Sequence, residues 1–344
     1  MNRNRTFAGP PGGKPATPPE NVPQHVVEEL VAAAILAPSM HNTQPWRFRF
    51  EPASETFELS ADPARTLRFG DPDGRAVHIA CGAALLNLRL AAAVAGRDPV
   101  VRLIPAVTQP LLLATVRLAG PWQAKPGEIE LHAAMATRRT NRSPFSGRPV
   151  APGILAELVA AARMEGAVLH IPDHQETARL LELARDAERI LLAQPGYRAE
   201  LAEWAGGARD REGIPGDALA PHDPRGPSPV RDFAPTQPGP VRHAWFEEWP
   251  QLAVLSTQSS SRADWLRAGQ ALQRVLLTAT LRGVAASPLT QPLETPDAWL
   301  VRDPGSSFEF PQMILRIGYG LPVPHSPRRP VSEVLSIPLA EGAG

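Results

Sequence analysis

Two runs of the sequence, CGAALLNLRLAAAVAG at Cys81 to Gly96 and AGQALQRVLLTATLRG at Ala268 to Gly283, follow one pattern, with Gly269 over Gly82 and Gly283 over Gly96. The first, taken back to Val77, is apolar nearly all round its helical circumference. Such a helix has to be buried on most faces, so the chain must fold around it. A shorter pair keeps the same order: EELVAAA at Glu28 to Ala34 is echoed by AELVAAA at Ala156 to Ala162. Ala-rich helices resemble one another by composition, and that is the better account of either pair alone. Two echoes in one order, each followed by strand patterns, favour an internal duplication.

The long pair is spaced wider than the short pair by about 60 residues, so the second half carries an insertion between its paired helices. Ala205 to Val241 reads AGGARDREGIPGDALAPHDPRGPSPVRDFAPTQPGPV, dense in Gly and Pro and without helical or strand period. A stretch of this kind is either a lid over a site or a linker. Repeat elements continue beyond it, which favours a lid-like insertion at about residues 205–243. Elsewhere, a helix is expected at Gln24 to Ala37, stopped by Pro38, and strands at Trp46 to Phe50, Phe57 to Ser60, Leu111 to Leu118 and Met313 to Gly320. Residues 1–22 are Pro- and Gly-rich and expected to be disordered. This leaves two halves, 23–136 and 137–338.

With 35 basic and 35 acidic residues, no global field favours nucleic acid or an anionic membrane. Lysine occurs only at Lys14 and Lys125, so any anion site must be built from guanidinium groups. Cys81 is the single cysteine, which excludes an internal disulfide and a thiolate metal cluster. No apolar run approaches the ~20 residues of a membrane-spanning helix, and the N-terminus has no signal-type apolar core. A cytoplasmic protein is expected. The histidines have no metal-ligand spacing, and no Walker A, G-x-G-x-x-G, G-x-S-x-G or H-E-x-x-H pattern occurs. Trp204, Trp245, Trp249 and Trp265 cluster around the insertion, and core packing is the expectation for them.

Two stretches carry chemistry. LAPSMHNTQPW, Leu36 to Trp46, sets Ser39, His41, Asn42, Thr43 and Gln44 between a helix and a strand, more polar groups than a turn requires. TRRTNRSPFSGRPV, Thr137 to Val150, surrounds Thr140 with Arg138, Arg139 and Arg142. Guanidinium forks with a hydroxyl between them suit a phosphate monoester, although a solvated basic turn is the better account of that run alone. Arg328 and Arg329 form a further basic pair after the last strand.

Together these segments resemble the nitroreductase superfamily of FMN-binding proteins, in detail its Acg-like branch, in which two nitroreductase-like halves are fused. APSMHNTQPW is similar to the Ala-Pro-Ser-x-x-Asn-x-Gln-Pro-Trp signature, RRTNR to the Arg-Arg-Ser-x-Arg phosphate motif, and LRIGYGLPVPHSPRRPVSEVL to the closing strand and tail. The resemblance implies an α+β fold, an internally duplicated pseudo-dimer in one chain. It implies that Pro38, Ser39, Met40, His41 and Asn42 approach the flavin ring and ribityl chain from the first half. Arg138, Thr140, Arg142 and Arg328, with Arg329 beside it, would hold the phosphate end from the second half. Arg142 would face the N1 and C2 carbonyl side of the ring, and Thr290 and Gln291 would present backbone amides near N5 and O4. The missing parts of the two halves are complementary, so one composite site per chain is expected.

The implied activity is FMN-dependent transfer of reducing equivalents from NAD(P)H to a nitroaromatic or quinone-like small molecule, with no catalytic side chain and no metal. The other reading is an FMN-sequestering protein whose lid bars a nicotinamide. The chain would be a monomeric pseudo-dimer or a homodimer.

Overall fold

The computed structural model describes residues 22–338, apart from 208, 225–230, 232, 234–241, 296–300 and 302–309. Its centre is a pair of 20-residue helices, α2 (Arg75–Val94) and α7 (Arg262–Leu281). They touch backbone to backbone at the two aligned glycines. A Cβ built on Gly82 would lie 2.2 Å from the carbonyl oxygen of Leu266, and one on Gly269 would lie 2.1 Å from that of Ile79. Only glycine allows this approach. Across the same interface the buried amide of Gln273 donates to Asn87 Oδ1 at 2.8 Å.

Each central helix packs on its own sheet. The first half runs α1 (Gln24–Ala34), β1 (Trp46–Glu51), β2 (Thr56–Ala61), α2, β3 (Arg97–Leu103) and β4 (Leu112–Pro121). The second runs α4 (Pro152–Met164), β5 (Val168–His170), β6 (Gln251–Thr257), α7, β7 (Ala285–Pro288) and β8 (Phe310–Gly318). A short helix, α3 (Pro126–Ala134), joins them. The sheets are ordered β3-β4-β2-β1 and β7-β8-β6-β5, with antiparallel pairs throughout. Strand for strand, the two orders coincide. The chain then returns to the first half: α8 (Val331–Val334) leads into β9 (Leu335–Ser336), which pairs in parallel with β1.

Strand β1 shows why these residues form a sheet. Trp46, Phe48 and Phe50 alternate inward and Arg47 and Arg49 outward, the period that buries one face of a strand. A further echo concerns the hairpin loops. Thr108-Gln109-Pro110-Leu111 leads into β4 in the connection from β3, and Thr290-Gln291-Pro292-Leu293 opens the longer connection from β7 to β8. The first residue of each central helix reaches the other half's copy: Arg75 donates to the carbonyl of Leu293, and Arg262 to that of Pro110.

Several elements differ from the sequence expectations. Helix α1 ends at Ala34, three residues early, because the carbonyls of Ile35, Leu36 and Ala37 turn to the Arg328 guanidinium at 2.7, 3.2 and 3.1 Å. The insertion is not confined to the Gly/Pro-rich stretch. It opens with two helices, α5 (His174–Ala193) and α6 (Pro195–Trp204), the first capped by Asp173 through a reciprocal bond with Glu176. Helix α2 is in fact long and apolar enough to span a membrane, and its apolarity is accounted for by burial between its sheet and α7. Trp245 and Trp249 are exposed, at 71% and 52%, rather than in the core.

Candidate functional site

Between α1 and β1 the backbone is strained. His41, Asn42 and Gln44 have φ of 50°, 58° and 52°, left-handed values that a side chain disfavours. Such strain persists only where the surroundings over-determine it. Here Ser39 Oγ accepts from the Gln44 amide at 2.9 Å, and the Gln44 side chain donates to the carbonyl of Arg211 at 2.7 Å and accepts from the amide of Arg329 at 2.9 Å. Asn42 Nδ2 donates to the carbonyls of Gly213 and Pro327, each at 3.0 Å. The polar excess of this turn therefore has a structural use: its amide side chains fasten the insertion and the C-terminal segment to the first half. The Asn42 amide is already engaged by protein.

Two adjoining cavities open beside the turn, and Ser39, Thr140 and Arg142 line both. The smaller, about 380 Å³, is also lined by Asn42, Arg138, Arg139, His325 and Arg328, with no carboxylate among the described residues of its wall. Arg138 is 5% exposed, and its Nε and Nη1 have no partner among the described residues. Burial, then the charges of Arg328, Arg139 and Arg142, push its guanidinium down to about 9. Burial pushes Arg142 and Arg328 down to about 10, with Arg231 and Arg139 respectively adding to it. Buried like charges with open donors are costly unless an anion completes them. Arg328 differs from Arg138, since its donors are taken by Ile35, Leu36, Ala37, Ser326 and Pro327 carbonyls and by Asn42 Oδ1 at 3.1 Å. It supplies charge to this cavity and holds the helix end.

The larger cavity, a space of about 920 Å³ that is open to solvent on one side, lies between the two halves. Pro38, Ser39, Met40 and His41 wall it from the first half and Arg142, Pro288, Thr290 and Glu294 from the second. The insertion adds Arg231 and Phe233. Arg231 Nη2 pairs with Glu294 Oε1 at 2.5 Å and donates to Thr290 Oγ1 at 3.2 Å, while Tyr197 Oη bonds to Glu294 Oε2 at 3.3 Å. The Phe233 ring stands edge-on to His41, with centroids 6.4 Å apart. Burial, then the charges of Arg231 and Arg142, holds His41 well below the usual imidazole range, so the ring is neutral at physiological pH. Next to the lining residues Gly70 and Arg75, Asp71 accepts from the first-turn amides of Ala76 and Val77 in α2, and burial still pushes its carboxyl up to about 6.

Of the residues singled out from sequence, Pro38, Ser39, Met40, His41, Thr140, Arg142 and Thr290 line the larger cavity, and Ser39, Asn42, Arg138, Thr140, Arg142 and Arg328 line the smaller. Gln291 and Arg329 line neither. The Gln291 side chain is buried with its Oε1 unpartnered among the described residues, and the Arg329 guanidinium turns to Glu333. Arg75, Arg231, Phe233 and Glu294 were not anticipated. The first and last flank readable motifs, whereas Arg231 and Phe233 lie in a stretch with no period to mark them.

Comparison with known proteins gives the family. The model of the nitroreductase family matches residues 135–319. A Mycobacterium tuberculosis protein provisionally named an NAD(P)H nitroreductase is 35% identical over 322 residues, 91% of each chain. Another, provisionally named NAD(P)H nitroreductase acg, is 31% identical over 331 residues, 93% of this chain and 98% of its own. The chain belongs to the nitroreductase family. Among solved structures, the FMN-dependent nitroreductase NfnB from Mycobacterium smegmatis in complex with NADPH is 16% identical, with a TM-score of 0.36 over 60% of this chain and 96% of its own.

Proposed function

We propose that the chain is an FMN-dependent oxidoreductase that takes reducing equivalents from NAD(P)H and delivers them to a nitroaromatic or quinone-like acceptor. The observation that carries this is the buried Arg138 guanidinium, whose Nε and Nη1 have no partner among the described residues, in a cationic pocket that adjoins the larger cavity between the halves. The donor set fits a phosphate monoester: Arg138 and Arg142 give charge-assisted bonds and Thr140 a hydroxyl. The larger cavity would take the ring system, with Pro38 to His41 on one side and Pro288 to Thr290 on the other. Bound there, the flavin supplies the redox chemistry, and the protein supplies position, charge and exclusion of water.

The coincident sheet orders and the paired loops support reading 23–136 and 137–338 as two like halves. One composite site then forms between them within a single chain, and a monomer is sufficient to bind cofactor.

The test is direct. The purified protein should take up FMN and show a flavin absorption band. Arg138→Ala should weaken FMN binding at least tenfold, since a charge-assisted bond to phosphate contributes about 1.5–3 kcal/mol. Unchanged affinity in a fluorescence titration would remove the assignment.

A second reading has its own observation. Arg231 and Phe233, both from the insertion, line the cavity that a nicotinamide would have to share with the flavin ring. If that segment stays closed, the protein stores FMN without turnover. Anaerobic NADPH added to the FMN-loaded protein separates the two: bleaching of the flavin band favours the reductase, and a persistent band favours storage.

A further inference from the structure

The cationic pocket accounts for one buried guanidinium with open donors; the larger cavity holds another. Arg231 is 6% exposed, lines that cavity, and has no partner for Nη1 among the described residues. Its other side is fixed. Nη2 is held by Glu294 and Thr290, the guanidinium lies over the Tyr197 ring at 5.8 Å, and the Glu294 carboxylate is itself held by Tyr197 Oη. An arginine locked in this way presents its remaining edge as a preorganised donor.

The charges around that edge decide what it suits. Among the described lining residues, Arg75, Arg142 and Arg231 face one carboxylate, Glu294, which sits on the Nη2 side. His41 feels the positive charge of Arg231 and Arg142. Phe233 and Pro288 add apolar walls for a flat ring. A neutral molecule would leave the buried Nη1 poorly answered, whereas an anionic oxygen would complete it.

We propose that Arg231 is a specificity-determining residue of the larger cavity, where its Nη1 binds the carboxylate of a flat aromatic second ligand, so the preferred acceptors are acidic nitroaromatics or quinones. This rests on the reading of the cavity as a flavin site shared with an acceptor. It also gives the insertion a recognition role besides that of a cover.

The experiment compares two ligands of one shape, 4-nitrobenzoate and nitrobenzene, titrated into the FMN-loaded protein by perturbation of the flavin absorption band. The wild-type protein should bind 4-nitrobenzoate about tenfold tighter or more, as expected of one charge-assisted bond. Arg231→Leu, loaded to saturation with FMN, should lose that preference. Glu294→Gln should strengthen 4-nitrobenzoate binding, because it removes the competing negative charge and keeps the side-chain shape. Equal binding of the two ligands by the wild-type protein, or a preference that survives in Arg231→Leu, overturns the proposal. If the protein takes up no flavin, the cofactor reading fails separately. Calorimetric titration of the same two ligands into the flavin-free protein then decides the role of Arg231.

Discussion

Individual side chains here are best understood by asking which of their polar atoms have partners. Arg138 and Arg328 share a pocket, but Arg138 has open donors and Arg328 has none to offer. Arg328→Ala should therefore lower FMN affinity less than Arg138→Ala does, while costing more stability, on the order of 2–4 kcal/mol, because several carbonyls lose their donor. Parallel titration and urea unfolding of the two variants check this, and the reverse ranking would contradict it. Asp71 gives a pH signature. Its carboxyl titrates near 3.8 unfolded and about 6 folded, so the folded state holds the proton between those values. Stability from this group is full below about pH 4 and falls as pH rises to 6, by roughly 2–3 kcal/mol. Asp71→Asn should be insensitive over that window, so the wild-type protein should lose stability relative to it between pH 4 and 6. A constant difference in urea midpoints across that range would rule this out.

At the level of elements, the contact between α2 and α7 is the least tolerant place in the molecule. Gly82→Ala and Gly269→Ala would each drive a methyl to within about 2 Å of a helix carbonyl oxygen, and the two backbones would have to separate. Overpacking of this kind costs typically 1–3 kcal/mol and more where nothing can shift, so each variant should melt several degrees lower or fail to accumulate as soluble protein. A melting temperature equal to wild type would contradict the close contact. Those glycines were legible because they repeat at equivalent places in two long apolar runs, and β1 and β4 were legible because Trp46 to Phe50 alternate and Leu111 to Leu118 are nearly all apolar. Strand β3 was not, since Pro99 interrupts a run that otherwise reads Asp-Pro-Val-Val-Arg. The residues of the site were legible where they belong to a motif, as Ser39, Arg138 and Thr140 do. Arg231 and Phe233 were hidden because the insertion fixes them by tertiary contacts, not by periodicity.

Over the whole molecule the two sheets do not own separate interiors. Leu266, on α7, is packed into the core of the first half, and Ile79, on α2, into the core of the second. These two residues flank the glycine contact in mirror-like fashion, each offering its backbone carbonyl to the other helix's glycine. The C-terminal segment adds a second lock, since β9 extends the first sheet and Arg329 bonds through its amide to Gln44. Neither half could unfold without exposing the apolar helix of the other, a cost of about 25 cal/mol for each Å² uncovered. Chains beyond about 150 residues often lose two-state behaviour because their parts unfold separately. Here the shared core argues for one transition despite 344 residues. Urea unfolding followed by tryptophan fluorescence and by far-ultraviolet circular dichroism should give coincident curves. Trp46 lies in the first sheet and Trp265 on α7, so fluorescence samples both halves while dichroism follows the helices. Two separated transitions would mean that the halves are held together by the C-terminal segment alone, and the central helix pair would then be a contact surface rather than a common core.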